Sequence, residues 1–193
     1  GLRGLVNSKK IGHAGTLDPM GTGLLICLIG RATKRMEQFM GMPKTYTGTL
    51  RLGEATPSYD AETEVVERRP WEHLADADME NVRGQFLGAI EQQPPMFSAV
   101  KIGGERLYKK ARRGEDVERP ARQVSIYEFT ITCRNGADVS FEVRCSKGTY
   151  IRSLAHDFGQ VLGTGAHLTV LRRTAIGDHT VEQAWTMEQL SQA

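Results

Sequence analysis

The stretch GTLDP places one carboxylate, Asp18, in a loop that contains several glycines. They are Gly12, Gly15, Gly21 and Gly23. Glycine is used where the backbone needs a positive φ or where a ligand or a second backbone comes close. The apolar run at residues 24–29 follows and predicts a buried strand. Asp18 is therefore either a turn residue, whose carboxylate bonds its own backbone, or the reactive group of an active site.

Arg152 is a cation that could meet this carboxylate. It belongs to the segment IRSLAHDFGQVL, whose apolar residues recur at helical spacing and predict an amphipathic helix. The predicted apolar stripe is Ile151, Leu154, Ala155, Phe158, Val161 and Leu162. Arg152 lies at the edge of this stripe in the first turn. Its side chain could pair there with a carboxylate or, as is commoner for arginine, extend into solvent.

A basic segment is the next candidate for a functional surface. Its eight cations are Lys101, Arg106, Lys109, Lys110, Arg112, Arg113, Arg119 and Arg122, against the four anions Glu105, Glu115, Asp116 and Glu118. The resulting net charge of +4 fits either a solvated face or an arm that contacts nucleic-acid phosphates. The adjacent pairs Lys109-Lys110, Arg112-Arg113 and Arg172-Arg173 favour the arm.

Other functional templates do not fit the sequence. The glycine-rich loop lacks the GK[ST] ending of a phosphate-binding P-loop, and no complete dinucleotide fingerprint is present. The five histidines have no spacing suited to a metal, and no serine nucleophile elbow occurs. We therefore predict no metal site.

Composition indicates a globular chain with one core. The chain has 193 residues, of which 39% are hydrophobic and 25% charged, and its net charge is +2. Any site for a polyanion must therefore arise from local clustering. The cysteines Cys27, Cys133 and Cys145 contain no CxxC pair, and Cys27 and Cys145 are expected to be buried in strands. A reducing cytoplasmic setting is the corresponding expectation, and no run of 18 apolar residues predicts a membrane span.

The elements that must position these residues alternate irregularly between strands and helices. Strands are predicted at KTYTGTLRLG, QVSIYEFTITC, ADVSFEVRCS and AHLTVLRRTAIG, and helices at ATKRMEQFMG, DADMENVRGQFLG, ERLYKKARRG and the segment of Arg152. Because no regular βαβ repeat appears, the α+β class is predicted.

Five blocks of the sequence, in order, carry a resemblance to a known family. The blocks are GHAGTLDPMGTGLLICLIGRATK, KTYTGTLRLGEAT, PPMFSAVKIGGERLYKKARRG, CSKGTYIRSLAHDFG and GAHLTVLRRTAIG. They resemble the TruB-type tRNA pseudouridine synthases, the bacterial pseudouridine-55 enzymes, and cover nearly the whole chain.

The resemblance implies roles for individual residues. Asp18 would attack a flipped-out uridine, Tyr46 would lie against the uracil ring and take the C5 proton, and Arg152 would pair with Asp18. These three are the implied catalytic residues. The implied substrate-binding residues are His13, Asp60, Leu171, Lys147, Lys109, Lys110 and Arg112. Pro57 and Thr63 stand where the family more often has an acid and a glycine, so the sharing of Arg152 by Asp60 is left open.

The resemblance also implies an architecture. The expected fold is a mixed, mostly antiparallel sheet with flanking helices. Residues 1–193 would form one catalytic domain with an RNA-binding, thumb-like insertion at about residues 94–125. The family's usual N-terminal strand and its C-terminal PUA domain are expected to be absent.

The implied activity is the isomerisation of uridine to pseudouridine at position 55, in the T loop of tRNA. The expected partner is the T arm of tRNA, and the expected protein is a cytoplasmic monomer without membrane, metal or cofactor. Two alternatives remain open at this point. One is a non-catalytic helper of tRNA folding, and the other is a guide-dependent enzyme like dyskerin.

Overall fold

The segments with strand and helix periodicity form one large sheet with helices packed on it. The computed structural model describes residues 2–6, 8–98, 100–115 and 117–192. The strands are β1 (Ile11–His13), β2 (Thr22–Gly23), β3 (Cys27–Ile29), β4 (Lys44–Leu52), β5 (Glu54–Ala55), β6 (Glu67–Arg68), β7 (Gly88–Gln92), β8 (Lys101–Ile102), β9 (Glu105–Arg106), β10 (Arg122–Asn135), β11 (Asp138–Cys145), β12 (Ala166–Ile176) and β13 (His179–Thr180). The α-helices are α1 (Leu2–Leu5), α2 (Met36–Gly41), α3 (Asp76–Gln85), α4 (Leu107–Arg112), α5 (Ile151–Val161) and α6 (Met187–Gln192), with 3₁₀ turns at Gly30–Arg35 and Val181–Gln183.

The main sheet has seven strands within the described residues. Its order is β13-β12-β4-β11-β10-β7, and every neighbouring pair on this path is antiparallel. β2 adds a short parallel pairing to β12. The predicted α+β fold with a mixed, mostly antiparallel sheet is therefore confirmed.

The core lies between the sheet and the helices α3 and α5. Its side chains come from alternate positions of β4, β10, β11 and β12, because alternate residues of a strand point to the same face. Leu50, Phe141, Leu168 and Phe158 are nearly inaccessible to solvent. Burying such apolar side chains is the main favourable contribution to folding.

β12 has an outer edge that is shared by several short segments. β4 occupies its inner edge along almost the whole length. On the other side Leu168 donates its backbone N–H to the carbonyl of Tyr59, and Arg173 pairs with Gly23. Two loops that are far apart in sequence are therefore placed along one strand.

Between β7 and β10 the chain leaves the main sheet. It forms the β8–β9 ribbon and α4, and α4 is shorter than the predicted basic helix ERLYKKARRG because the first two residues of that segment form β9. The two ends of this excursion are joined, because the Gln93 side chain donates to the carbonyl of Arg119 and Arg119 donates to the carbonyl of Pro94.

Three predictions about local burial were wrong. Residues 24–29 do not form one buried strand, since β3 pairs with β1 in a separate two-stranded ribbon that leaves Leu25 and Ile29 exposed. Cys27 is exposed for the same reason, whereas Cys145 is buried as predicted. Val161 is exposed because α5 ends there.

Among the described residues, no helix is both long enough and apolar enough to cross a bilayer.

Candidate active site

The loop that carries Asp18 (residues 14–26, hereafter the Asp18 loop) is closed at its base by the β1–β3 ribbon. Directly beyond that ribbon, the Ala14 N–H donates to the Ile26 carbonyl at 2.9 Å. At the tip, the Gly21 N–H donates to the Asp18 carbonyl at 2.8 Å, which forms a tight turn through Pro19. Asp18 therefore begins a turn at the tip of the loop.

Two glycines give this loop its course. Gly15 and Gly23 have φ values of +99° and +100°, a region that other residues rarely adopt. At Gly23 a Cβ atom would lie 2.2 Å from the Arg173 carbonyl oxygen. Only glycine lets the loop come this close to β12.

Asp18 and Arg152 form a bidentate ion pair. Arg152 Nη2 lies 2.7 Å from Asp18 Oδ1, and Arg152 Nε lies 2.9 Å from Asp18 Oδ2. The Arg152 side chain is only 5% exposed, whereas that of Asp18 is 27% exposed. Two parallel charge-assisted hydrogen bonds hold the carboxylate in one orientation and leave part of it accessible to solvent.

The third nitrogen of Arg152 joins two further segments to this pair. Nη1 donates to the carbonyl of Phe97 at 3.1 Å and to that of Ser58 at 3.3 Å. It also lies 3.4 Å from Asp60 Oδ2, and Asp60 is completely buried. The structure thus brings Asp18, Asp60 and Arg152 together, with a contact to the start of the insertion.

The segment around Asp60 (residues 56–64, hereafter the Asp60 loop) is held by its own hydroxyl groups. Ser58 Oγ donates to Asp60 Oδ1, and the Glu62 N–H donates to the same oxygen at 3.0 Å. Thr63 Oγ1 accepts a hydrogen bond from the Ser58 N–H at 3.1 Å. Thr63 is therefore part of the network that orients Asp60.

Tyr59 has an unusual backbone conformation directly before Asp60. Its φ is +64°, and its ring stacks on His156 of α5 with a centroid distance of 3.8 Å. A non-glycine residue in this region is strained and persists only where the surroundings hold it. Since His156 lies one turn after Arg152, the stack ties the Asp60 loop to the helix that carries the arginine.

Tyr46 and Leu171 lie on the same face of neighbouring strands. Tyr46 of β4 is opposite Arg173 of β12, and Leu171 is opposite Gly48 two positions farther along. Burial raises the pKa of the Tyr46 phenol, the Arg173 guanidinium lowers it, and the charge of Asp18 raises it. The phenol and the carboxylate are thus close enough to influence each other, and buried Leu171 belongs to the wall beside them.

Arg173 is a site residue that sequence reasoning misassigned. The basic pair Arg172-Arg173 favoured a phosphate-contacting surface, but Arg173 is 1% exposed and that interpretation was wrong for it. Its side chain reaches the Asp18 loop instead of solvent. Alternation along β12 could have indicated this, because Arg173 is two residues beyond Leu171 and so shares its face.

Glu62 was also missed. Burial and the neighbouring charge of Asp60 raise the pKa of its carboxyl, while Arg152 lowers it and Asp18 raises it. Its backbone N–H binds Asp60, so Glu62 is a further acidic residue next to the ion pair, with an exposed side chain. Glu62 lies in a loop two residues after Asp60, where no strand or helix periodicity could have predicted its place in the site.

The other implied substrate-binding residues lie away from this network. His13 is exposed at the end of β1, and Lys147 is exposed in the turn before α5. Lys109 is exposed and Lys110 half-buried on α4, and the side chain of Arg112 lies outside the described part. Arg113 is bound to Glu105 and Glu115 at 2.8 Å and 2.7 Å.

The described ranges contain no group of three or more His, Cys, Asp or Glu side chains arranged to hold a metal ion.

The geometry has two chemical consequences, one for the carboxylate and one for the phenol. A carboxylate that is oriented by a buried guanidinium and open on one side can act as a nucleophile or stabilise a developing positive charge. A phenol on the same face, close to both a carboxylate and a cation, can exchange a proton with a bound group.

Comparison with known proteins identifies the family of this chain. Residues 3–151 match the family model described as TruB family pseudouridylate synthase, N-terminal domain, and residues 152–193 match the tRNA pseudouridylate synthase B C-terminal domain. The chain belongs to the TruB family. The resemblance noted in the sequence is thus confirmed.

Individual TruB-family proteins and structures agree with this assignment. The chain is 52% identical over 181 residues to tRNA pseudouridine synthase B of Flavobacterium johnsoniae, covering 94% of this chain and 79% of the relative. It is 48% identical to tRNA pseudouridine synthase B of Thermobifida fusca, covering 98% of this chain and 68% of the relative. A solved structure titled as a Cbf5-Nop10-Gar1 complex superposes with a TM-score of 0.74 at 29% identity, over 99% of this chain and 48% of that chain.

Proposed function

We propose that this protein converts uridine to pseudouridine in tRNA, at position 55 of the T loop. The observation that supports this best is the bidentate ion pair between Arg152 and Asp18 at the tip of a glycine-shaped loop. Relatives that cover most of the chain carry the name tRNA pseudouridine synthase B. The T loop as target and the roles of the residues are our proposals.

The proposed reaction is a rearrangement that balances without another reactant. The bond between C1′ of the ribose and N1 of the uracil breaks, the uracil turns, and C5 bonds to C1′. The proton that leaves C5 is matched by one that N1 gains. Because nothing is oxidised and no water is consumed, a single positioned carboxylate and a proton acceptor can suffice.

Asp18 is the proposed nucleophile. Its side chain is the accessible partner of the ion pair, so one of its oxygens can reach a uridine that has left the base stack. Arg152 holds the carboxylate in place, and Asp60 holds Arg152. Either C1′ of the ribose or C6 of the base can be the atom attacked, and both routes use the same orientation of Asp18.

Tyr46 and Leu171 are proposed to hold the flipped base. Tyr46 presents a ring next to the reacting carboxylate, and its hydroxyl is the proposed acceptor of the C5 proton. Leu171 provides apolar surface on the same face. Flipped bases are generally held by such stacking and packing contacts.

The thumb-like insertion, about residues 94–125, is proposed to close over the T arm. It carries the exposed cation Lys109 and the half-buried Lys110 on α4, and these suit contacts to phosphates. Its start contacts the site directly, since Arg152 donates to the Phe97 carbonyl. His13 and Lys147 are proposed to contact the same RNA.

The test is incubation with unmodified tRNA and no guide RNA, followed by nucleoside analysis for pseudouridine. We expect one pseudouridine per tRNA, and none in a matched transcript with cytidine at position 55. Asp18→Asn should form no pseudouridine but bind tRNA within about tenfold of the parent, because the amide keeps the shape and loses the nucleophile. Product that forms only when a guide RNA is added, or full activity in Asp18→Asn, would refute the proposal.

A further inference from the structure

Arg173 is a buried cation that has no role in the reaction proposed above. It is 1% exposed, and among the described residues it forms no ion pair with a carboxylate. A buried guanidinium without an anion is costly unless its N–H groups are fully engaged. The groups that engage it therefore show what its position is for.

The guanidinium binds both flanks of the Asp18 loop. Nε donates to the Leu24 carbonyl at 2.8 Å, beyond the tip of the loop. Nη2 and Nη1 donate to the carbonyls of Gly15 and Thr16 at 3.2 Å and 3.4 Å, before the tip. One side chain thus fixes the distance between the two arms of the loop.

The backbone of Arg173 adds to this hold. Its carbonyl accepts the Leu24 N–H at 2.8 Å, and Gly23 pairs with it in the β2–β12 register. Arg173 therefore attaches the loop to β12 by main chain and side chain together, next to the pairing of Thr22 with Arg172. Arg152 holds the carboxylate of Asp18, while Arg173 holds the backbone that carries it.

Arg173 also lies directly opposite Tyr46 on the neighbouring strand. Cross-strand partners have Cβ atoms about 5 Å apart and share a face of the sheet. The groups that act on the Tyr46 phenol are Arg173 from β12, Cys145 from β11 and Asp18 from its loop. Arg173 is the cation among them, so it opposes the effects of burial and of the two potential anions.

We propose that Arg173 is a positioning residue that fixes the backbone of the Asp18 loop and the Tyr46 phenol relative to each other. This inference rests on the proposed function for its catalytic consequence. Lysine cannot replace it, because a single ammonium cannot reach three carbonyls that diverge from one planar fork. A displacement of about 1 Å in the reacting group can lower a rate about 100-fold.

The experiment compares Arg173→Met and Arg173→Lys with Arg51→Met. Arg51 is an exposed arginine on the adjacent strand β4, so it controls for loss of a charge in the same sheet. In Arg173→Met we expect the single-turnover rate to fall about 100-fold, with tRNA affinity within about fivefold of the parent. Arg173→Lys should stay well below the parent rate, and Arg51→Met should match it.

A second measurement does not depend on activity. The ultraviolet titration of Tyr46 is obtained by subtracting the curve of Tyr46→Phe, in the parent and in the Arg173→Met and Arg173→Lys backgrounds. We expect Tyr46 to ionise at higher pH without Arg173, with partial recovery in Arg173→Lys. If the parent formed no pseudouridine, the proposed function would fail, yet this titration would still test the placement of Arg173 on Tyr46.

The contrary outcomes are equally definite. A parent-like rate in Arg173→Lys would mean that the three diverging hydrogen bonds are not needed. An unmoved Tyr46 titration in the Arg173 variants, or equal losses of rate and of tRNA affinity, would reduce Arg173 to a structural or RNA-binding role. If Arg173→Met does not fold, the Arg173→Lys results decide both points.

Discussion

Arg152 and Asp18 face each other with two nitrogen–oxygen contacts of 2.7 Å and 2.9 Å, although one is almost buried and the other is partly open to solvent. This asymmetry separates a holding group from a reacting group. Charge alone would require one contact, whereas two parallel contacts also define the plane of the carboxylate. Predictions about the pair can therefore distinguish orientation from charge.

Replacing Arg152 should affect turnover far more than binding. Arg152→Met removes both contacts to Asp18, and we expect the single-turnover rate to fall by about 100-fold or more with tRNA affinity nearly unchanged. Arg152→Lys should recover only a small part of the rate, because lysine supplies charge without the planar fork. Single-turnover kinetics and filter binding with the same tRNA measure the two quantities.

The double variant tests whether the residues act as one unit. Asp18→Asn combined with Arg152→Met should be scarcely slower than Asp18→Asn alone. A loss of tRNA affinity that parallels the loss of rate in Arg152→Met would instead make Arg152 an RNA contact.

The cations of α4 should determine part of the salt dependence of binding. Replacing Lys109 and Lys110 by serine should weaken tRNA binding and reduce the log–log salt slope by about one unit for each lost phosphate contact. Binding measured across a salt series gives the slope.

Arg113→Ser is the matched control for these lysines, because Arg113 is already bound to Glu105 and Glu115. We expect it to change the slope less than either lysine does. An unchanged slope in the lysine variants would identify α4 as a solvated face.

Gly23 should not tolerate a side chain. Its φ of +100° is unfavourable for alanine by about 1–2 kcal/mol, and the new Cβ would meet the Arg173 carbonyl oxygen. Gly23→Ala should therefore lower the free energy of unfolding by at least that amount and impair turnover. Urea denaturation and the tRNA assay measure the two effects.

Gly84→Ala provides the comparison, because Gly84 lies in α3 with open space around its Cβ position. We expect a gain of about 0.5–1 kcal/mol there. Equal stability of the two alanine variants would contradict the close approach of the Asp18 loop to β12.

Asp157 should make stability depend on pH. Burial raises the pKa of its carboxyl to about 6, so its ionisation opposes folding more strongly as pH rises from about 4 to 6 and remains unfavourable above that range. Asp157→Asn should therefore raise the free energy of unfolding at pH 7.5 by ~1 kcal/mol, a value reduced for partial solvent exposure, and change it little at pH 4. Urea denaturation at both pH values measures this.

Asp178→Asn, at an exposed turn, is the control for the change of charge. It should leave the difference between the two pH values as in the parent. A gain for Asp157→Asn that is the same at both pH values would exclude the burial of its charge as the cause.

Periodicity predicted the elements that build the scaffold. The alternation in β4, the strands β10 and β11, and the stripe of α5 at Ile151, Leu154 and Phe158 are local patterns, and each formed as predicted. The position of Arg152 at the start of that stripe likewise predicted a possible pairing with a carboxylate.

Burial that depends on distant segments was not predictable in the same way. The sequence predicts Arg173 to be one of two surface arginines, because no neighbouring residue indicates that the Asp18 loop will cover it. Residues 24–29 read as a core strand because their apolar character does not reveal that β1 will pair with only half of them. In both cases the missing information was the neighbour across the sheet, which is a tertiary property.

The order of these residues along the chain determines when the site can assemble during synthesis. Asp18 is synthesised before Arg152, which follows it by 134 residues, and β12 follows later still. Domains emerge from the ribosome starting with the N-terminus, and contacts between distant residues form slowly. A nascent chain therefore presents an Asp18 loop without either of its arginines. Asp18, Arg152 and Arg173 therefore come together only after β12 has paired with β4.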